Sequence, residues 1–258
     1  MPDTKISALT AVTAVAGANE FAVNEAGVSK KATSNQVKTF ITDAPVFAAG
    51  SANASTKPKL TSGTLMTTPE AGALEYDGTC FYITPVASNR GVALAEHFVC
   101  LTSTYTLTSQ TAAQKLFNAT ANGELTLPVG AYFFECMFSL SSMSATSGNS
   151  QFRILGGGTA VLGSVLYHAV GIDNAINAAA AQTGGMSNQS NSPASIVSAA
   201  TNATQNTAIR GTFRVTTTGT IIPSVALVTA AAAVVAIGSY FRCWCVGDQN
   251  VTTVGNWS

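Results

Sequence analysis

The alternation of apolar and polar positions is sharpest over residues 131–140, AYFFECMFSL. Successive side chains of an extended chain point to opposite faces. Tyr132, Phe134, Cys136, Phe138 and Leu140 therefore share one face, and Phe133, Glu135, Met137 and Ser139 the other. The second face is also partly apolar, so this strand is expected to be covered twice: by its own domain core and by something else. Similar short runs occur over 151–155, 160–167, 207–215, 219–228 and 239–246, and 124–127 follows an Asn122-Gly123 turn signal. Their count and spacing predict a mainly β chain ending in an antiparallel β-sandwich or jelly roll. The Gly-, Ser-, Asn- and Ala-rich stretch 172–206 is too polar and small for a core strand. It reads as a surface excursion with a short helix near 196–200.

The pattern upstream is different. Two short runs, 21–23 and 28–30, flank Asn24-Glu-Ala-Gly27 and predict a tight hairpin. Thr33 or Ser34 is placed to cap a short helix to about Ile41, with Val37, Phe40 and Ile41 on one side, and Asp43-Ala-Pro45 ends it. So small a unit buries little core by itself and calls for a partner surface. Residues 46–62 read as a linker. Beyond them, 73–76 and 79–83 flank Asp77-Gly78, which predicts a second hairpin with a type I′ turn. The division expected is 1–44 as a hairpin-helix module, 45–96 as linker and β-hairpin connector, and 97–258 as the sandwich domain.

Charge sharpens that division. From residue 97 to 258 the chain has nine charged side chains: Lys115, Glu124, Glu135, Arg153, Asp173, Arg210, Arg214, Arg242 and Asp248. A soluble domain ordinarily devotes about a quarter of its residues to charge. So sparse a surface is poorly protected against self-association, and the simplest reading is that part of it is buried against copies of itself. The formal net charge of zero gives no pull toward nucleic acid or an anionic membrane. The apolar stretch 220–241 is long enough to span a bilayer, but Pro223, the weakly apolar alanines and the β-branched ends favour two strands joined around the alanines. The first residues lack the continuous apolar stretch of a secretory signal. The five cysteines, Cys80, Cys100, Cys136, Cys243 and Cys245, are irregularly spaced and read as buried free thiols of a reducing compartment.

The chain has no phosphate-binding Gly-x-x-x-x-Gly-Lys-Ser/Thr motif and no Gly-x-Ser-x-Gly elbow. With only His97 and His168, a Ser-His-Asp arrangement or a zinc site has little to draw on. His168 is expected as a satisfied structural histidine. Glu75 and Asp77 border a turn and read as solvated hairpin charges rather than a glycosidase pair. Glu135, in an apolar strand, requires a cation, which Arg153, Arg210, Arg214 or Arg242 would supply. Tyr167, Tyr240 and Trp244 are candidates for a glycan groove. Trp257 is expected to enter a neighbouring groove or cap the end of an assembly. No catalytic residue, cofactor or metal is expected.

Residues 4–41, TKISALTAVTAVAGANEFAVNEAGVSKKATSNQVKTFI, resemble the N-terminal module of many tailed-phage virion proteins. There an ISALT-like opening precedes a short hairpin, a Lys-rich step and a small capped helix. Residues 65–84, with Thr68-Pro-Glu-Ala-Gly-Ala-Leu-Glu75 and Asp77-Gly78, resemble a hairpin recurrent in phage fibre and appendage proteins. Residues 99–258, with Leu125-Thr-Leu-Pro128, Gly130, Tyr132 and Phe134, are similar to a phage-borne jelly roll of the C1q/tumour-necrosis-factor type. The resemblance implies a homotrimer packed about an axis through apolar strand faces, with Tyr132, Phe133, Phe134, Met137 and Phe138 as expected interface residues. It implies a short fibre or surface appendage of the virion, assembled in the host cytoplasm. Phe21, Val23, Val28, Val37, Phe40 and Ile41 would contact other virion proteins, and the knob would face the host, whose cell-surface glycans are a further candidate partner. A capsid-decoration role and a glycan-binding receptor role are the alternatives.

Overall fold

The computed structural model describes residues 20–25, 28–34, 60–119, 122–172, 182–187, 194–195, 203–255 and 257. The chain divides into two compact units, Met1–Lys59 and Leu60–Ser258, so the connector hairpin falls in the same unit as the sandwich strands. In the first unit β1 (Glu20–Glu25) pairs with β2 (Val28–Thr33), Glu25 opposite Val28. The predicted hairpin is present, with longer strands and a shorter connection than expected. The helix expected to follow, with Val37, Phe40 and Ile41, lies outside the described residues.

The second unit begins with a three-stranded sheet of β3 (Leu74–Tyr76), β4 (Phe81–Val86) and β5 (Asn89–Ala93). The larger part follows as β6 (Glu96–Cys100), β7 (Tyr105–Thr106), β8 (Gln114–Lys115), β9 (Leu125–Leu127), β10 (Gly130–Ser141) and β11 (Ser150–Gly157). It continues through β12 (Val161–Ile172), β13 (Gln182–Ser187), β14 (Ala194–Ser195), β15 (Gln205–Thr217), β16 (Gly219–Leu227), β17 (Val234–Val235) and β18 (Tyr240–Gly247). An eight-stranded sheet runs β13-β12-β15-β10-β17-β7, with β18 also beside β10 and β6 beside β18. A five-stranded sheet runs β14-β11-β16-β8, with β9 also on β16. The pairings are antiparallel. The protein is thus mainly β, with antiparallel sheets in an arrangement compatible with a β-sandwich.

The core lies between these two sheets and follows the alternation of β10. Tyr132, Phe134, Cys136, Phe138 and Leu140 are all buried. Phe134 of one sheet and Phe152 of the other stack with ring centroids 6.4 Å apart, and Phe152 meets Tyr167 edge-on at 5.5 Å. The Tyr132 hydroxyl donates to the carbonyl of Pro128 and that of Tyr167 to the carbonyl of Phe152, so the buried phenols are satisfied.

The apolar stretch 220–241 divides among β16, β17 and the start of β18, as strands joined around the alanines. Among the described residues no helix is long and apolar enough to cross a membrane. The stretch 172–206 supplies no core strand, as expected, but adds β13 beside β12 and β14 beside β11, and the short helix expected near 196–200 lies outside the described residues. Both strands lie at a sheet edge, where backbone pairing on one side suffices and bulky side chains are not required.

The Asp77-Gly78 turn also differs. Tyr76 pairs with Phe81, leaving 77–80 as the loop. Gly78 has φ +99°, but Asp77 is not among the positive-φ residues, so this is no type I′ turn. Asp77 instead organises the loop through its side chain, with Oδ1 accepting from the N–H groups of Thr79 at 2.7 Å and Cys80 at 2.8 Å. Cys80, expected as a free thiol, is disulfide-bonded to Cys245, 165 residues away. The three-stranded sheet is thereby tied to β18, while Cys100, Cys136 and Cys243 are free.

Candidate assembly surface

β10 turns its second face outward, and its neighbours extend that face into ordered cross-strand rows. One row runs Trp244, Phe133, Thr212, Leu166. The next runs Phe98, Arg242, Glu135, Arg210, His168. The third runs Cys100, Tyr240, Met137, Ala208, Val170. Two apolar rows thus flank a charged one. Phe133 stacks on Trp244 at 5.0 Å, and Phe98 on Tyr240 at 6.0 Å. Phe98, Met137 and Leu166 are exposed.

Arg242 satisfies Glu135. Its Nε donates to Oε2 at 2.8 Å and its Nη2 donates to the same oxygen. The hydrogen bond to Glu135 raises the guanidinium pKa above its ordinary value. Arg242 also lies over the Trp244 ring, 5.6 Å from its centroid, a cation–π distance. Of the other arginines considered for Glu135, Arg210 lies opposite it in register but forms no ion pair among the described residues. Arg214 binds the carbonyls of Gln249 and Val251, and Arg153 lies on β11 in the other sheet. His168, expected as a satisfied structural histidine, is exposed opposite Arg210.

The structure separates the five residues expected at a trimer interface. Phe133 and Met137 are on the outer face. Tyr132, Phe134 and Phe138 are buried within the single chain and are not available to another copy. Their parity in β10 assigns them to the core, as alternation requires. The aromatic trio expected for glycan divides too: Tyr240 and Trp244 are partly exposed on the outer face, whereas Tyr167 is buried between the sheets. Trp257 is exposed, its indole N–H donating to the carbonyl of Val254 at 2.7 Å. Phe21, Val23 and Val28 lie on the first unit's hairpin.

The three-stranded sheet repeats the outward turn of apolar groups. Leu74, Phe81 and Ile83 are exposed on one face, with Tyr76 stacked on Phe81 at 4.5 Å. The charged residues are on the other side. Arg90 Nε meets Glu75 Oε2 at 2.8 Å, and Asp77 Oδ2 accepts from the Tyr82 hydroxyl at 2.9 Å. Burial and that hydrogen bond push the Tyr82 pKa up to about 12. Glu75 and Asp77 are therefore structural groups with partners, not the solvated hairpin charges expected. Their engagement leaves no free acid pair there.

Depressions mark the outer face on either side of Ala208. One of about 380 Å³ is bordered by Ser139, Ile172 and Ile237, and one of about 340 Å³ by Glu135, His168, Arg210 and Tyr240. Both share Met137, Val170 and Ala208. A separate cleft of about 400 Å³ lies between β6 and the start of β9, lined by Phe117, Leu125, Pro223 and Phe241 with His97, Glu96 and Glu124. Glu124 is paired there with Lys115 at 2.9 Å. Among the described residues no three His, Cys, Asp or Glu side chains group as metal ligands. What this surface offers is contact: apolar rows, shallow grooves and a ladder of charges. No protein-family model matches the chain, and a search of curated proteins finds no match.

Proposed function

We propose that this chain is a structural protein of a tailed-phage virion, a homotrimeric surface appendage of the short-fibre type. In this reading residues 1–44 anchor it to other virion proteins, and the β-sandwich is a C1q/tumour-necrosis-factor-like jelly roll facing outward. The observation that carries it is the outer face of the eight-stranded sheet. Phe98, Met137 and Leu166 are exposed there in a domain with very few charges, and a monomer has no use for such a face. The resemblance of residues 4–41 and 65–84 to phage modules supplies the setting.

Light scattering on the purified full chain tests the assembly. Three copies of the 26.3 kDa chain are expected, and a monomer at micromolar concentration would overturn the reading. Counting the chain in purified particles and labelling it with antibody tests the location. A few dozen copies or fewer, at tail or vertex, support an appendage. Hundreds per head would replace it with capsid decoration. The glycan-binding alternative retains Tyr240 and Trp244 on this same face, and glycan-array binding lost in a trimeric Trp244→Ala variant would favour it.

A further inference from the structure

We infer that the free edge of β6 takes up an extended peptide strand of a partner protein, with apolar residues at the alternate positions that face inward and a basic residue beside Glu96. This contact uses the edge and inner side of β6, not the outer face of its sheet. It therefore goes beyond the appendage reading and does not depend on the homotrimer.

The backbone of β6 is half unpaired. β6 pairs with β18 alone. The N–H of Leu101, one position beyond the Cys100–Tyr240 pair, donates to the carbonyl of Ser239 at 2.9 Å. In an antiparallel pair the bonding residues alternate. Val99 and His97 therefore turn their N–H and C=O groups toward β18, and Glu96, Phe98 and Cys100 turn theirs away. Among the described residues no strand meets that second row. Soluble proteins ordinarily blunt such an edge with charge, proline or a bulge. β6 has no proline, pairs with β18 without a register shift, and ends in the uncharged Phe98, Val99 and Cys100.

Beside this edge the core is open. The cleft of about 400 Å³ reaches from β6 to the start of β9, which belongs to the five-stranded sheet. It is lined by the buried Phe117 and Phe241, whose ring centroids are 6.5 Å apart, and by Val99, Leu125 and Pro223. His97 and Val99, on the inner face of β6, stand opposite the buried Cys243 and Phe241. A strand laid along β6 would send every second side chain toward this cleft, while its backbone met the free row. Main-chain bonds combined with pockets for alternate side chains are the means by which a sheet edge captures an extended peptide. A compact apolar molecule would fill the cleft but leave the backbone row unpaired.

Charge specifies the outward positions. Glu96 is on the outer face of β6, with a side chain 44% exposed. Arg242 approaches it only to 3.6 Å and is held by Glu135 instead. Glu124, across the cleft, already has Lys115 and Asn122. Glu96 is thus the acid left to meet a Lys or Arg directly opposite it on the added strand, an opposite-charge cross-strand pair.

Hydrogen exchange on the full chain tests this. The probes are synthetic peptides of about seven residues, long enough to pair with the whole of β6. Val and Thr alternate in them, and a single Lys replaces each Thr in turn. At least one is expected to slow exchange at the amides of Phe98 and Cys100 by about tenfold, as a ligand at about ten times its Kd does. The same peptide with Ser in place of Val should not. Phe98→Pro removes a donor from the free row without touching the β18 pairing, a place where an edge strand tolerates proline. With the fold confirmed by circular dichroism, it should abolish the protection at Cys100. Glu96→Lys, at an exposed position, covers the case in which that variant misfolds. It should shift the preference by about threefold toward a peptide with Glu in place of Lys. No protection with any of the peptides, equal protection by the Ser peptide or in Phe98→Pro, or an unchanged charge preference would overturn the inference. Light scattering on the same samples separates it from the homotrimer: a monomer whose Phe98 and Cys100 amides are protected upholds the strand addition and overturns the trimer, and a trimer without protection does the reverse.

Discussion

The rings of Phe134 and Tyr167 meet edge-on, with centroids 6.3 Å apart, across the strand that separates them, and the residue opposite both on that strand is Gly211. A methyl group there would fall 2.6 Å from the Cα and Cβ of Tyr167 and closer still to the carbonyl oxygen of Leu166. Backbone atoms do not move aside as a flexible side chain does. Gly211→Ala is therefore expected to cost about 3 kcal/mol through overpacking, with the β12–β15 pairing loosened. Urea denaturation of the variant checks it, and a midpoint equal to wild type would remove Gly211 as the reason those rings can meet.

The Cys80–Cys245 bridge predicts a thiol count. Denatured without reductant, the chain should titrate three thiols, Cys100, Cys136 and Cys243, and after reduction all five. Five at the outset would mean the bridge does not form. Because it spans 165 residues, the chain-entropy argument gives Cys80→Ala a loss on the order of 4–5 kcal/mol. The three-stranded sheet would lose its tie to β18 and be the first part to become susceptible to protease.

Much of this architecture was legible because it rests on period-two alternation. The run 131–140 identified both faces of β10, and the strands at 150–157, 205–217 and 240–247 lie where their apolar runs predicted. What escaped depends on neighbours far away in the chain. Cys80 reads as a buried free thiol until the fold brings it to Cys245. Glu75 and Asp77 read as surface charges until the sheet closes over them. The interface residues divided for a related reason: alternation separates Phe133 from Phe134, but which face meets the core depends on the partner sheet. β6 carries little alternation and is recognisable as an edge only once β18 is in place. Arg242 was one of four cations open to Glu135, and only strand register distinguishes it.

Glu75 and Arg90 together hold a segment outside their sheet. The Glu75 Oε1 accepts from the N–H of Met66 at 2.7 Å, and Arg90 Nη2 donates to the carbonyl of the same residue. Both side chains are largely buried. Removing the guanidinium leaves a carboxylate without its cation and a carbonyl without its donor, so Arg90→Ala is expected to cost about 2–3 kcal/mol. Hydrogen exchange should show faster loss of protection at the amides of Met66 and Gly63, the second of which donates to the carbonyl of Tyr76 at 3.0 Å. Unchanged protection at both would mean the pair does not hold the segment.

Stability should fall in alkali for reasons of burial. The thiol of Cys243 is pushed up to about 12 from an ordinary 9.0, and that of Cys136 is pushed upward too, each chiefly by desolvation. The phenol of Tyr132 rises to about 12 from 10.0, again chiefly by desolvation. All three are held neutral in the fold. As pH rises past about 9, an unfolded chain releases thiol protons that the folded chain retains, and past about 10 it releases the phenol proton too. The unfolded state then binds fewer protons, so stability declines with pH from about 9 toward 12, and below that window these groups contribute no slope. The urea midpoint should accordingly be flat between about pH 7 and 8.5 with respect to these groups and drop by about pH 10.5. A Cys136→Ala, Cys243→Ala double variant should lose less of its own neutral-pH midpoint over the same interval, because two of the groups driving the decline are gone. A decline as steep in that variant as in wild type would show that the buried thiols are not its cause.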